Sequence, residues 1–221
     1  MSWLIAISVI SFVCGYIVYI GIQAAEVDWG GRAINWIDGI GRLLCKYLHR
    51  LPETKIPLPE QGAAIVVSNH ISGLDPFLLL AACRRPLRFL VAREQYERPI
   101  LHWLFKASGC IPVDRSGKPE LALRQALQAL NDGEVLAIFP HGKIHLDSDP
   151  PRKLKGGAVR LSAWTQTPIY PVRIDGVGAE GAEALAAFIP SHIELTVANS
   201  FIANVSDKDS ALEMIREVIE S

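Results

Sequence analysis

The stretch Ala63-Ala64-Ile65-Val66-Val67-Ser68-Asn69-His70-Ile71-Ser72-Gly73-Leu74-Asp75-Pro76 passes from an apolar run into a polar loop and then to an Asp-Pro pair. Ala63 to Ser68 is rich in β-branched residues and too short for a stable helix, so it predicts a buried strand. Pro fits the first turn of a helix, where its missing N–H has no partner to lose, so Asp75-Pro76 predicts a helix over Phe77 to Cys83. Strand, loop, helix is the repeating unit of an α/β domain.

Reading forward, the unit recurs. Leu87 to Ala92 predicts a strand, Lys118 to Leu130 a helix stopped by Asn131-Asp132-Gly133, and Glu134 to Phe139 another buried strand. Lys155 to Thr165 reads as a helix, Pro168 to Ile174 and Ile193 to Val197 as strands, and Asp209 to Glu220 as a closing helix. The Ala-rich Ala179 to Ala187 reads as a surface helix or loop. The expected fold is a layered α/β domain over residues 63–221, with a mostly parallel or mixed sheet flanked by helices. Its ligand site should lie beyond the carboxyl ends of the strands.

Reading backward, the three prolines between Leu51 and Gly62 predict an extended linker over 51–62. Residues 1–50 form a different kind of region. Leu4 to Ile22 carries no charge, and as a helix it would reach about 29 Å at ~1.5 Å per residue, against a hydrocarbon core of roughly 30 Å. It predicts a transmembrane or interfacial helix. A cleaved signal peptide fits less well, because no Lys or Arg precedes the run and no small-x-small site follows it. From Arg32 to Arg50, apolar Ala33, Trp36, Ile37, Ile40, Leu43, Leu44, Tyr47 and Leu48 recur at helical spacing, with Arg32, Arg42, Lys46, His49 and Arg50 between them. That pattern suits an amphipathic helix at the headgroup level, although a plain core helix would show it too. Lys and Arg are absent before residue 32, which puts the larger part on the cytoplasmic side.

Composition narrows the function. Charged residues are 20% of the chain and the net charge is -1, which offers no polycationic face to a nucleic acid. Four dispersed cysteines (Cys14, Cys45, Cys83, Cys110) form neither a disulfide framework nor a zinc knuckle. No Gly-x-Ser-x-Gly elbow points to a serine hydrolase. His70 and Asp75, five residues apart in a loop, can fold into a pair. The carboxylate would accept from Nδ1-H and leave Nε2 as a general base. Asp75 as a helix cap and His70 as an ordinary loop histidine are the bland alternatives.

Four ordered blocks resemble the glycerolipid acyltransferases, a family that includes the lysophosphatidic acid acyltransferases: Asn69-His70 through Asp75, Gly109 to Arg115, Phe139-Pro140-His141-Gly142, and Thr167 to Val172. The resemblance covers roughly residues 63–175. It implies transfer of a fatty acyl group from acyl-CoA or acyl carrier protein onto the hydroxyl of a lysophospholipid such as 1-acylglycerol-3-phosphate. His70 would be the base and Asp75 its partner, with no cofactor beyond the donor and no metal. Arg115, His141, Gly142, Lys143 and Lys155 would contact the substrate, Arg115 through an acceptor phosphate. The bilayer, the lysolipid and the acyl donor are the expected partners. The third block departs from the family, where a glutamate usually precedes the glycine and Thr-Arg-Ser commonly follows. Here it reads His141-Gly142-Lys143-Ile144-His145, which exchanges a carboxylate acceptor for an imidazole and moves the cation. Two other readings remain: a different lysolipid or hydroxyl acceptor, and a lipid-binding homologue without catalysis. His141 and His145 also invite a metal beside His70 and Asp75, but that spacing aligns ligands only on a helix, and Pro140 and Gly142 predict a turn.

Overall fold

The computed structural model describes residues 2–115, 117 and 119–220. Lys118, where a helix was expected to begin, lies outside them. Six strands form one sheet: β1 (Ala64–Ser68), β2 (Leu87–Ala92), β3 (Ile111–Val113), β4 (Val135–Ile138), β5 (Ile169–Asp175) and β6 (Glu194–Val197), in spatial order β3-β2-β4-β1-β5-β6. Every neighbouring pair is parallel except β5 with β6, which is antiparallel. The sheet is therefore mixed, with one reversed edge strand.

β1 shows why its sequence has no polar alternation. Ala64 and Val66 pack into one apolar cluster, with α3 (Asp75–Ala82) and part of α2 (Arg32–Tyr47). Ile65 and Val67 pack into the other, with α6 (Pro119–Asn131), α7 (Gly157–Thr165) and α8 (Lys208–Ile219). A strand covered on both faces needs apolar residues at every position. Two short helices, α4 (Arg93–Tyr96) and α5 (Pro99–Ala107), follow β2.

The parallel pairing of β1 with β4 decides where the site forms. Val67 lies opposite Ile138, so the chain leaves both strands side by side, at Asn69-His70 and at Phe139 to Gly142. Asn69 then ties this end to β5: its Nδ2 donates to the Ile174 carbonyl at 2.8 Å and its Oδ1 accepts from the Ile174 N–H at 2.8 Å. Residues 51–62 hold no regular element, yet Ile56 is buried and its N–H donates to the Ala82 carbonyl at 3.0 Å. The segment lies against the domain.

α1 (Ser2–Ala24) projects from this body, with Trp3 81% and Phe12 76% exposed. It is the one described helix long and apolar enough to cross a membrane. Its base is fixed to α2 by a close crossing. A Cβ on Gly39 would lie 1.7 Å from the Gly21 carbonyl oxygen, and Trp36 Nε1 donates to the Ile17 carbonyl at 3.2 Å. α2 in turn is held to α3 by Arg42, whose guanidinium donates to the carbonyls of Leu80, Ala81 and Cys83 and pairs with Asp38 at 2.7 Å. Those carbonyls lie at the C-terminal end of α3, where only Leu80 also accepts a capping amide, from Cys83, so the cation supplies donors that the helix end lacks and meets the negative end of the dipole.

Candidate active site

His70 Nδ1 stands 2.7 Å from Asp75 Oδ2. Asp75 is fully buried. Its Oδ2 also accepts the N–H groups of Ile71 at 2.7 Å and Ser72 at 2.8 Å, and its Oδ1 accepts the Ser72 hydroxyl at 2.9 Å. Four donors converge on one carboxylate, which suits the ionised form, an acceptor only. His70 Nδ1 must therefore carry the proton toward Asp75, and in the neutral ring Nε2 keeps its lone pair. Asp75 does not cap α3. It is the first residue of that helix, and its carboxylate turns back into the loop rather than to the helix amides.

Other contacts fix the ring. Phe139, from the end of β4, stacks on His70 with centroids 4.2 Å apart, and Phe89 stacks beyond it at 6.0 Å. The segment around Gly181 to Glu183 closes over the loop: Gly181 N–H donates to the Ile71 carbonyl at 2.8 Å and Gly73 N–H to the Ala182 carbonyl at 2.9 Å. A Cβ on Gly73 would lie 2.1 Å from the Glu183 carbonyl oxygen, so glycine there serves a close chain crossing.

His70 lies in the wall of a cleft of about 720 Å³. Most of its walls are apolar, with Ile34 and Ile37 from α2, Phe77 and Leu80 from α3, and Leu104 and Phe105 from α5. Cys110 also faces it, and burial pushes its thiol up from the ordinary range. A second pocket of about 370 Å³ adjoins the first and is lined by Arg115, His141, Gly142, Lys143, Arg152, Lys153 and Lys155. Arg115, Gly142 and Lys143 line both. The five residues expected to contact substrate therefore share one pocket, and His70 opens onto the cleft beside it. Arg115 pairs with Glu94 at 3.1 Å and donates to the Gly142 carbonyl. Gly142 has φ +75°, and a Cβ there would lie 2.5 Å from Lys155 Nζ. Lys155 N–H donates to the Pro140 carbonyl at 2.9 Å.

His141 is differently placed. Its Nε2 lies 3.0 Å from Glu220 Oε1 at the end of α8, and its ring packs on His145 at 4.3 Å. Its buried Nδ1 has no hydrogen-bond partner among the described residues. Burial holds its pKa below the usual imidazole value, with Glu220 opposing and nearby His145 and Arg152 adding to the depression.

Several contributors escaped the sequence reading. Arg152 and Lys153 lie in a basic loop where only Lys155 stood out. The i, i+3, i+4 spacing of Leu101, Leu104 and Phe105 was a signal for α5. The Ala-rich 179–187 segment was read as surface, yet it covers the His70 loop and lends Ala184 and Ala187 to the cleft.

The site thus sets a histidine–carboxylate pair in the wall of an apolar cleft beside a cationic pocket. The family model described as Acyltransferase matches residues 51–175, more than half of the chain, and the chain belongs to that family. Among curated relatives, it is 36% identical over 124 residues to N-acylphosphatidylethanolamine synthase of Arabidopsis thaliana, a match covering 52% of this chain and 43% of that one. It is 33% identical over 124 residues to a probable 1-acyl-sn-glycerol-3-phosphate acyltransferase of Mycoplasma pneumoniae, covering 52% of this chain and 45% of that one. The chain thus spans less than half the length of these relatives. The crystal structure of the 1-acyl-sn-glycerophosphate (LPA) acyltransferase PlsC from Thermotoga maritima shares the fold, with a TM-score of 0.65 over 99% of this chain and 90% of that one at 20% identity.

Proposed function

We propose that this chain is an O-acyltransferase of phospholipid biosynthesis, anchored by α1 with its larger domain on the cytoplasmic side. It moves a fatty acyl group from acyl-CoA or acyl carrier protein to the hydroxyl of a lysophospholipid such as 1-acylglycerol-3-phosphate. The observation that carries this reading is His70, paired with Asp75 at 2.7 Å, in the wall of an apolar cleft that adjoins a cationic pocket. Family membership and the named relatives support it.

In the proposed step, His70 Nε2 takes the acceptor's hydroxyl proton as the oxygen attacks the thioester carbonyl. The new C–O bond forms, the C–S bond breaks, and the departing thiolate receives the proton from the imidazolium. Asp75 stabilises that imidazolium through Nδ1. No cofactor beyond the donor takes part. The cleft receives acyl chains, and Arg115, Lys143 and Lys155 face the acceptor's phosphate, with His141 in the floor beside them.

The test is thioester release by the full chain in defined membranes, scanning lysophosphatidic acid, other lysophospholipids and ethanolamine lipids. The last group enters because the Arabidopsis relative is named for an N-acylated lipid and because His141 stands where the family usually has a carboxylate. His70→Ala should lower turnover about 10²–10⁴-fold while membrane association persists. Selective use of lysophosphatidic acid would rule out a different acceptor. If the wild type turns over no acceptor, the chain is a lipid-binding homologue.

A further inference from the structure

The second pocket holds more positive charge than one acceptor phosphate can answer. Five cations line it, no carboxylate does, and among the described residues only Arg115 of the five is ion-paired. A phosphate monoester carries about −1.5 to −2 at neutral pH. Cations gathered without counter-charge repel one another, so such a cluster is stable in company with anions.

The cations also fall into two sets. Arg115 and Lys143 line both cavities and so stand on the His70 side. Arg152, Lys153 and Lys155 line the second pocket alone, but Lys155 Nζ lies against Gly142, a residue of both cavities, which leaves Arg152 and Lys153 as the outer set. They are not a loose surface tail. The next residue, Leu154, is buried in the α6–α8 core, and Lys155 is fixed by its N–H to the Pro140 carbonyl at 2.9 Å. The loop is pinned directly behind the two side chains.

Resting on the acyltransferase reading above, we propose that Arg152 and Lys153 form a separate anion subsite for the acyl donor, holding the phosphate of its phosphopantetheine arm. In an acceptor such as 1-acylglycerol-3-phosphate, the phosphate is only a few bonds from the reacting hydroxyl and must bind near His70. In the donor, a long pantetheine arm separates phosphate from thioester, so its phosphate must bind farther out. The two sets of cations match those two reaches. Coenzyme A and acyl carrier protein both present this phosphate, and coenzyme A extends it with adenosine 3′,5′-bisphosphate.

The experiment measures equilibrium binding of coenzyme A, 4′-phosphopantetheine and unphosphorylated pantetheine to the full chain, wild type and Arg152→Gln/Lys153→Ala. The double variant should bind the two phosphorylated probes about tenfold more weakly, the loss expected for charge-assisted contacts, and pantetheine unchanged. In turnover, KM for the donor should rise by a similar factor while KM for the lysolipid stays put. Running acyl-CoA and acyl carrier protein in parallel separates the sources, since the donor actually used shows the rise. A rise in the acceptor's KM with the donor's unchanged would overturn the proposal, as would unaltered coenzyme A affinity or no binding of either phosphorylated probe. Binding needs no turnover, so these outcomes are distinct from failure of the acyltransferase reading. Lys153→Glu, with an unchanged circular dichroism spectrum, provides a second variant and should weaken binding further.

Discussion

Among the described residues, two histidine–carboxylate hydrogen bonds stand beyond the ends of adjacent parallel strands, His70–Asp75 after β1 and His141–Glu220 after β4, and they are built in opposite ways. The first is local. Five residues of loop bring the partners together, and the carboxylate is locked by two backbone amides and a hydroxyl as well as by the imidazole. The second joins residues 79 apart, through a carboxylate that is 29% exposed and shared with Arg216. Among the described residues, one ring keeps Nε2 without a partner at a cleft wall, whereas the other spends Nε2 on its carboxylate and leaves Nδ1 buried and unpaired. The lesson is that a histidine beside a carboxylate keeps a ring nitrogen available to a cleft only when the carboxylate engages the other one. The His141 pair ties the end of α8 to the site instead, alongside Arg173, which donates to the Ile219 carbonyl at 2.7 Å.

Substitutions at Asp75 should show the largest effect. Asp75→Ala strands three buried donors besides the imidazole, at about 1–3 kcal/mol each, and frees the His70 ring to turn. Turnover should fall ~10²–10⁴-fold and the unfolding temperature should drop with it. Asp75→Asn keeps the shape, so it should hold most of the stability and still lose turnover. Unchanged kinetics in Asp75→Asn would break the contrast between the pairs. An intermediate effect is expected at Glu220→Ala. Losing the His141 contact should reduce stability by about 1 kcal/mol and leave kcat within about threefold. A kcat loss as large as that at Asp75 would show that the second pair also serves the chemistry.

The smallest effect concerns pH. Burial holds both His141 and His49 below the ordinary imidazole pKa. The unfolded chain, with its histidines near 6.5, then binds more protons than the folded one between the two values. Stability from these groups is complete above about pH 6.5 and is lost as pH falls through the unfolded pKa toward the lower folded ones. Thermal unfolding at pH 5.5 should lie a few degrees below that at pH 7.5, at roughly 2–4 °C per kcal/mol for a chain of this size. His141→Gln should narrow the gap. A gap that persists unchanged would assign it to His49 or other groups.

The His70 pair was legible in sequence because it is local, whereas the reason for Asp75 was not. Asp-Pro before a helix predicts a cap, and only the direction of the carboxylate distinguishes a cap from a partner for imidazole. The strands covered on both faces were readable from their unbroken apolar runs. β3, only Ile111–Val113, gives no periodic signal, and α4 and α5 are short enough that three- and four-residue spacing hardly repeats. His141–Glu220 could not be read at all. A contact between a loop and the far end of the chain depends on how α8 packs across the sheet, and no local pattern records that.

The crossing of α1 on α2 at Gly21 and Gly39 has a consequence for how a substrate arrives. α2 is at once the partner of α1 and, through Ile34 and Ile37, a wall of the cleft. With α1 in the bilayer, the cleft is moored one helix diameter from the anchor and cannot swing free of the lipid surface. On the proposed reaction, substrate and product would then exchange by lateral diffusion in a plane, and a water-insoluble lipid would be found, altered and handed on without a journey through solvent.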